Sequence, residues 1–144
     1  MAPLTQTQQL VAWNTLVTDA DPSKYPRGDI KRAAAIASIY MGIANNGGIN
    51  HYLTYSYALD GIETYDALIQ LGANVAANQY KSILEQLNEP LIATTQDDRW
   101  NIIERLWTAS LDASDLLTND ADKNILLALE KHIQDHSACY LGLK

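Results

Sequence analysis

Apolar residues recur three and four positions apart along almost the whole 144-residue chain. This is the spacing of amphipathic helices, and no segment shows the alternation of period two that marks a half-buried strand. The sequence therefore predicts an all-α fold, a compact bundle of about six or seven helices in a single domain covering residues 1–144. An apolar fraction of 47% is enough for the core of such a bundle.

Glycine, proline and capping residues divide the chain into segments. Helices are predicted over residues 4–18, 30–45, 49–59, 62–71, 74–87 and 120–139, with another that opens at Gln96 and carries Trp100, Ile103 and Trp107. The signals at their ends are Asp29 as an N-cap, Gly47, Gly48 and Gly72 as stops, and Thr95 with Asp98 as a capping-box variant. Two prolines make 19–28 a loop, and 112–119 is a polar connection with a helical turn through Leu116 and Leu117. The second helix is rich in alanine, which suggests a central position.

The chain carries a surplus of negative charge, with 17 Asp and Glu against 10 Lys and Arg. Residues 1–59 hold three acids and four bases, so residues 60–144 hold the remaining 14 acids and 6 bases, a net charge of −8. This balance argues against direct binding of nucleic acid or of an anionic membrane. It favours a basic protein as the partner.

Carboxylates also recur three or four residues apart, at Asp60/Glu63, Glu63/Asp66, Glu85/Glu89 and Asp112/Asp115. Few bases are placed to neutralise them, although Lys81/Glu85 and Lys131/Asp135 are compensated pairs. Some of these acids have an ordinary role at helix starts, where carboxylates are favoured, and a binding surface is the equal alternative. The candidate partner-binding residues are Asp97, Asp98, Glu104, Asp112, Asp115, Asp120 and Asp122.

The single cysteine, Cys139, has no partner for an internal disulfide, and no basic residue precedes Lys24. A cytoplasmic location is therefore expected, without a secretory signal. The longest stretch free of charged side chains is 33–59, and its continuous apolar part, 33–44, has the length of a buried helix rather than of a membrane span.

Three potential zinc ligands, His132, His136 and Cys139, follow one stripe of the predicted last helix at i, i+4 and i+7. Ile133 stands where a metalloprotease motif has its glutamate, and the outer two positions are about 10 Å apart along a helix. The competing interpretation is a His pair favoured by the helix dipole beside a small buried cysteine. We expect no cofactor and no catalytic residues, because nucleophile-elbow and phosphate-loop motifs are absent from the sequence. A metal-binding protein or enzyme at these three residues is the alternative function.

Two segments resemble a family of small helical bacterial proteins whose characterised member is a DNA mimic. Asn46, Gly47, Gly48 and Tyr52 match an Asn-Gly-Gly segment with a following aromatic residue, and Leu71, Gly72 and Ala73 match a second segment. Ile49, His51 and Tyr55 depart from the family pattern. The resemblance covers about residues 29–135. It implies an all-α fold, no known catalysis, and a dimer whose acidic face occupies the DNA-binding surface of a transcription factor.

Together these observations predict a non-enzymatic inhibitor that occupies a basic, nucleic-acid-facing surface of another protein. The inhibitor is either a DNA mimic or an immunity protein that neutralises a toxin. A homodimer held by tyrosine and tryptophan side chains is a third hypothesis, since Tyr52, Tyr55 and Tyr57 fit a core or an interface better than base stacking.

Overall fold

A computed structural model describes residues 4–18, 20–54, 61–87, 96–112 and 115–141. In these ranges the chain forms seven helices of seven or more residues and two helical turns of four residues, with no strand, so the all-α prediction is confirmed. The helices are α1 Gln6–Trp13, α2 Ile30–Asn46, α3 Gly48–Thr54, α4 Gly61–Leu71, α5 Asn74–Leu87, α6 Gln96–Leu106, α7 Ala109–Asp112, α8 Asn119–Asp135 and α9 Ser137–Tyr140. A π-helical turn, Asn14–Thr18, continues α1, and a 3-10 turn, Pro22–Lys24, interrupts the loop that follows.

Helix α2 lies at the centre of the bundle and packs against α3, α4 and α8. Its alanines are buried, and their small side chains allow the neighbouring helices to approach closely. Asp29 caps it as predicted, because its carboxylate accepts a hydrogen bond from the Lys31 N–H at 2.8 Å. Gly47 is its C-cap, and Gly72 follows α4 with a φ of +90°, a backbone conformation that favours glycine.

Three tyrosines join α2, α3 and α5 in the middle of the core. The ring of Tyr40 meets those of Tyr52 and Tyr80 edge to face, with centroids 4.9 and 5.2 Å away. The hydroxyl groups of Tyr52 and Thr64 form a hydrogen bond of 2.9 Å. Burial raises the pKa of the Tyr40 hydroxyl far above its usual value. Tyr52 is therefore a core aromatic, and Tyr55 and Tyr57 lie outside the described residues.

An arginine fastens the loop before α2 to the rest of the bundle. Arg32 donates from Nε to Glu63 Oε1 at 2.6 Å, and from Nη1 to the carbonyl oxygens of Pro22 and Tyr25. The Arg27 guanidinium also lies 3.5 Å from Glu63. Glu63 is buried and pairs with two arginines, so the expectation that few bases neutralise the repeated carboxylates is wrong for Glu63. Its partners come from a different helix and from a loop, where spacing along one helix does not reveal them.

Two predicted features are wrong, and two others lie outside the described ranges. The last helix ends at Asp135 instead of Cys139, because His136 leaves helical geometry with φ −127° and ψ 31°. The helical turn expected at Leu116 and Leu117 lies earlier, at α7. Residues 55–59 of the predicted third helix, and the capping residue Thr95, lie outside the described residues. In the part of the chain that is described, no helix has both the length and the apolar composition needed to cross a membrane.

Candidate functional site

The seven candidate acidic residues fall into two groups. Asp97, Asp98 and Glu104 are exposed on α6. The other four lie between the end of α7 and the first two turns of α8, and we call them the acidic corner: Asp112, Asp115, Asp120 and Asp122.

Asp115 ties the acidic corner to the start of α3. Its carboxylate accepts a hydrogen bond from the Asn50 N–H at 2.7 Å, and its carbonyl oxygen accepts one from the Ile49 N–H at 2.6 Å. These N–H groups belong to the first turn of a helix, where they have no partner within the helix. Gly48 has a φ of +93°, and a Cβ there would lie 2.3 Å from the Asp115 carboxylate. Only glycine allows this close approach.

Two further carboxylates of the corner are held by neutral donors. The Asn45 amide donates to Asp122 at 2.7 Å, and the Trp107 indole N–H donates to Asp112 at 2.8 Å. Among the described side chains, Lys and Arg lie beyond ion-pair distance from all four carboxylates of the corner. The hydrogen bonds therefore orient the carboxylates and leave their negative charge uncompensated.

Side-chain amides join the backbone of the acidic corner to α5, and α5 to α8. The Gln79 side chain donates to the Leu116 carbonyl oxygen at 2.9 Å and accepts from the Thr118 N–H at 3.3 Å. Asn124 accepts from the N–H groups of Val75 and Ala76 at the start of α5. Leu116 is left 59% exposed amid the carboxylates. An apolar residue inside a polar rim is the usual arrangement of a protein interface.

Sequence reasoning missed Asn45, Asn50 and Gln79, which hold the acidic corner in place. Asn45 and Gln79 bind through side-chain amides and Asn50 binds through its backbone N–H. Each contacts a residue at least 37 positions away, so no local pattern distinguishes it from an ordinary surface residue. The exposure of Leu116 was missed for the same reason. Trp100, predicted on the apolar stripe of α6, is 51% exposed, whereas Ile103 is buried.

We expect Asp115→Ala to lower the free energy of unfolding by about 1–2 kcal/mol, because the Asn50 N–H in the first turn of α3 loses its carboxylate acceptor, while the Ile49 N–H keeps the backbone carbonyl of residue 115. Asp120→Ala is the matched control, since Asp120 is exposed in the same corner and should cost less than about 0.5 kcal/mol. Urea unfolding measures both values. Equal losses in the two variants would contradict the capping role of Asp115.

The three proposed zinc ligands do not lie on one continuous helix. His132 is buried, and its Nε2 forms a 2.5 Å hydrogen bond with the Tyr140 hydroxyl. Burial and, after it, the neighbouring His136, whose ring centroid is 4.7 Å away, lower the pKa of His132 to about 4. His132 is therefore neutral at pH 7, and the interpretation of a charged His pair at the helix end is wrong for this residue.

The described side chains bring no three His, Cys, Asp or Glu residues together in a way that could hold a metal ion. The side chain of Cys139 lies outside the described residues. Because the Nε2 of His132 is already engaged by Tyr140, a metal there would have to displace that hydroxyl.

No protein-family model matches the chain, and no curated protein or solved structure is similar enough to match it.

Proposed function

We propose that this protein is a non-enzymatic, cytoplasmic binding protein whose acidic corner covers a basic, nucleic-acid-facing surface of another protein. The observation that carries the proposal is the uncompensated charge of the corner. Asp122 accepts from a side-chain amide, Asp112 from an indole and Asp115 from a backbone N–H, and Asp120 is exposed. None of the four has a Lys or Arg partner among the described side chains.

The four carboxylates differ in exposure and therefore in their expected roles. Asp112 and Asp120 are exposed and available to a guanidinium or ammonium group of a partner. Asp115 and Asp122 are half-buried, and their main contribution is to position the corner and add to its negative potential. Because this geometry exists before binding, little conformational entropy is lost when the partner docks. The charge steers the encounter, and Leu116 adds apolar contact at the centre.

A surface that normally binds phosphates accepts such carboxylates because both present fixed negative oxygens to arginine and lysine. A DNA mimic and an immunity protein share this physics. They differ in the partner, which is a transcription regulator in the first case and a toxic nuclease in the second. The exposed carboxylates of α6, Asp97, Asp98 and Glu104, provide a flank that a larger partner would reach.

The test compares charge reversal at the corner with charge reversal elsewhere. Asp112→Lys/Asp120→Lys and the control Asp66→Lys/Glu85→Lys alter net charge equally, and all four residues are exposed. Each immobilised protein captures partners from the native host, and bound proteins are then released with a short DNA duplex. We expect a DNA-releasable protein on the native chain and the control, with affinity reduced about tenfold or more for the corner variant.

The identity of the released protein separates the two classes, since a purified regulator would be tested for loss of DNA binding and a nuclease for loss of cleavage. Unchanged affinity of the corner variant would reject the assignment to Asp112 and Asp120. Capture that DNA does not reverse would reject a nucleic-acid-facing surface.

A further inference from the structure

Helix α6 carries a tryptophan whose side chain is half in solvent. Trp100 is 51% exposed, whereas Ile103 on the same helix is buried where α6 packs against α3. Tryptophan is highly buried on average in folded proteins, and aromatic residues on the surface are enriched in protein interfaces. Among the described residues, Trp100 has neither a hydrogen bond nor a ring contact. Its indole is therefore open to a partner.

Two carboxylates flank this tryptophan on one face of α6, and we call the three residues the α6 stripe: Asp97, Trp100 and Glu104. Asp97 lies three residues before Trp100 and Glu104 four residues after it, and side chains at these spacings are neighbours on a helix surface. Both carboxylates are exposed, and neither forms an ion pair among the described side chains. Uncompensated negative charge therefore borders the ring on both sides along the helix.

A second tryptophan joins the α6 stripe to the acidic corner. Trp107 lies seven residues beyond Trp100, about 10 Å along the helix, and its indole N–H donates to Asp112 at 2.8 Å. Glu104 lies between the two tryptophans, three residues before Trp107. A partner that covers the acidic corner and extends about two turns along α6 therefore reaches Trp100.

We propose that the α6 stripe binds an arginine side chain of the basic partner, with the guanidinium on the Trp100 ring and Asp97 or Glu104 as its hydrogen-bond acceptor. The face of an indole attracts a cation, and a guanidinium is planar and more weakly hydrated than an ammonium group. Its parallel N–H donors also match a carboxylate. Lysine has neither feature, so the stripe selects arginine. The inference rests on the proposed function in assigning this arginine to the partner of the acidic corner.

The first test uses a peptide as the probe. A fluorescein-labelled peptide of four Arg-Gly repeats is titrated with the full chain at low salt, beside peptides that have lysine or the neutral isostere citrulline in place of arginine. Fluorescence anisotropy gives the dissociation constants. We expect the arginine peptide to bind about threefold or more tighter than the lysine peptide, and the citrulline peptide to show no binding.

Variants of the α6 stripe then locate the binding site. Trp100→Leu should raise the dissociation constant of the arginine peptide about threefold to tenfold, and Trp100→Phe should raise it less, because phenylalanine keeps a weaker aromatic face. Asp97→Asn/Glu104→Gln should weaken binding more than Asp66→Asn/Glu130→Gln, the matched control that removes the same charge at exposed positions elsewhere. Trp100 is half-exposed, so its variants should fold, and circular dichroism checks this.

Three results would overturn the proposal: equal binding of the arginine and lysine peptides, equal binding of the arginine peptide by the native chain and Trp100→Leu, or equal weakening by the stripe and control pairs. Capture from the native host distinguishes this failure from that of the proposed function. If Asp112→Lys/Asp120→Lys abolishes capture and Trp100→Leu leaves its affinity unchanged, the acidic corner is supported and the α6 stripe is rejected. If the peptide results are as expected and no DNA-releasable protein is captured, the arginine site is supported and the proposed partner is rejected.

Discussion

Arg32→Ala is expected to lower the free energy of unfolding by about 3–5 kcal/mol, because it leaves the buried carboxylate of Glu63 without its closest counter-charge. The Arg32 and Glu63 side chains are 15% and 10% exposed, so water does not replace the lost partner freely. The same substitution removes both hydrogen bonds from Arg32 to the loop carbonyls of Pro22 and Tyr25. Arg27 compensates only in part, since it lies 3.5 Å away and is largely exposed.

Two further variants separate charge from geometry. Glu63→Gln keeps the size of the side chain and should cost less than Arg32→Ala, because the remaining guanidinium still donates to two carbonyl groups. Arg32→Ala/Glu63→Ala should cost less than the sum of the single changes, since no buried charge is then left alone. Urea unfolding of the native chain, Arg32→Ala, Glu63→Ala and the double alanine variant gives the coupling, and Glu63→Gln is measured beside them. Strict additivity, or a loss below about 1 kcal/mol for Arg32→Ala, would show that the pair behaves as a surface ion pair.

The sequence predicts those parts of the fold whose cause is local. Asp29, Gly72 and the bounds of α5 follow from capping, positive φ and apolar periodicity, each of which acts within a few residues. The Arg32–Glu63 pair joins residues 31 positions apart, and the Asp115–Asn50 contact spans 65. Helical periodicity places each residue on a face, but it does not say which two faces meet. These contacts were therefore not predictable from the pattern.

In the acidic corner, too, the features with a local cause are predictable from the sequence and the long-range contacts are not. The sequence correctly places acidic residues at the start of α8, where the N-terminus of a helix favours them. It does not distinguish Asp115, which serves as a cap for a remote helix, from Asp120, which stands in solvent. A charge-reversal experiment designed from the sequence would have included Asp115 and confused loss of folding with loss of binding.

The interruption of the helix at His136 allows a contact between Tyr140 and His132 that a continuous helix could not form. On one helix, Tyr140 would lie eight residues and about 12 Å beyond His132. The turn at His136 instead brings the Tyr140 hydroxyl to His132 Nε2 and places α9 against α1. His132 is thereby buried in a setting where an added proton would face His136, with Asp135, Asp29 and Lys31 also contributing to its field.

Acid is therefore expected to destabilise the protein through His132. The usual pKa of 6.5 applies to the unfolded chain, and the folded value is about 4. Between these values the unfolded state binds the proton and the folded state does not. The contribution of neutral His132 to the free energy of unfolding is therefore fully present above about pH 6.5 and is lost as the pH drops towards 4. A shift of this size corresponds to about 3 kcal/mol, since one pKa unit is worth about 1.4 kcal/mol.

His132→Gln is the variant that tests this, because it retains an acceptor for the Tyr140 hydroxyl and removes the titration. Urea unfolding between about pH 4.5 and 7.5 should show a shallower loss of stability for this variant than for the native chain. The carboxylates titrate in both proteins, so the difference between the two curves isolates His132. His136→Gln should make the loss of stability in acid smaller than in the native chain. Without that neighbour the pKa of His132 rises, and the folded protein accepts the proton at a smaller cost. Parallel curves for the native chain and His132→Gln would assign the acid sensitivity to the carboxylates instead.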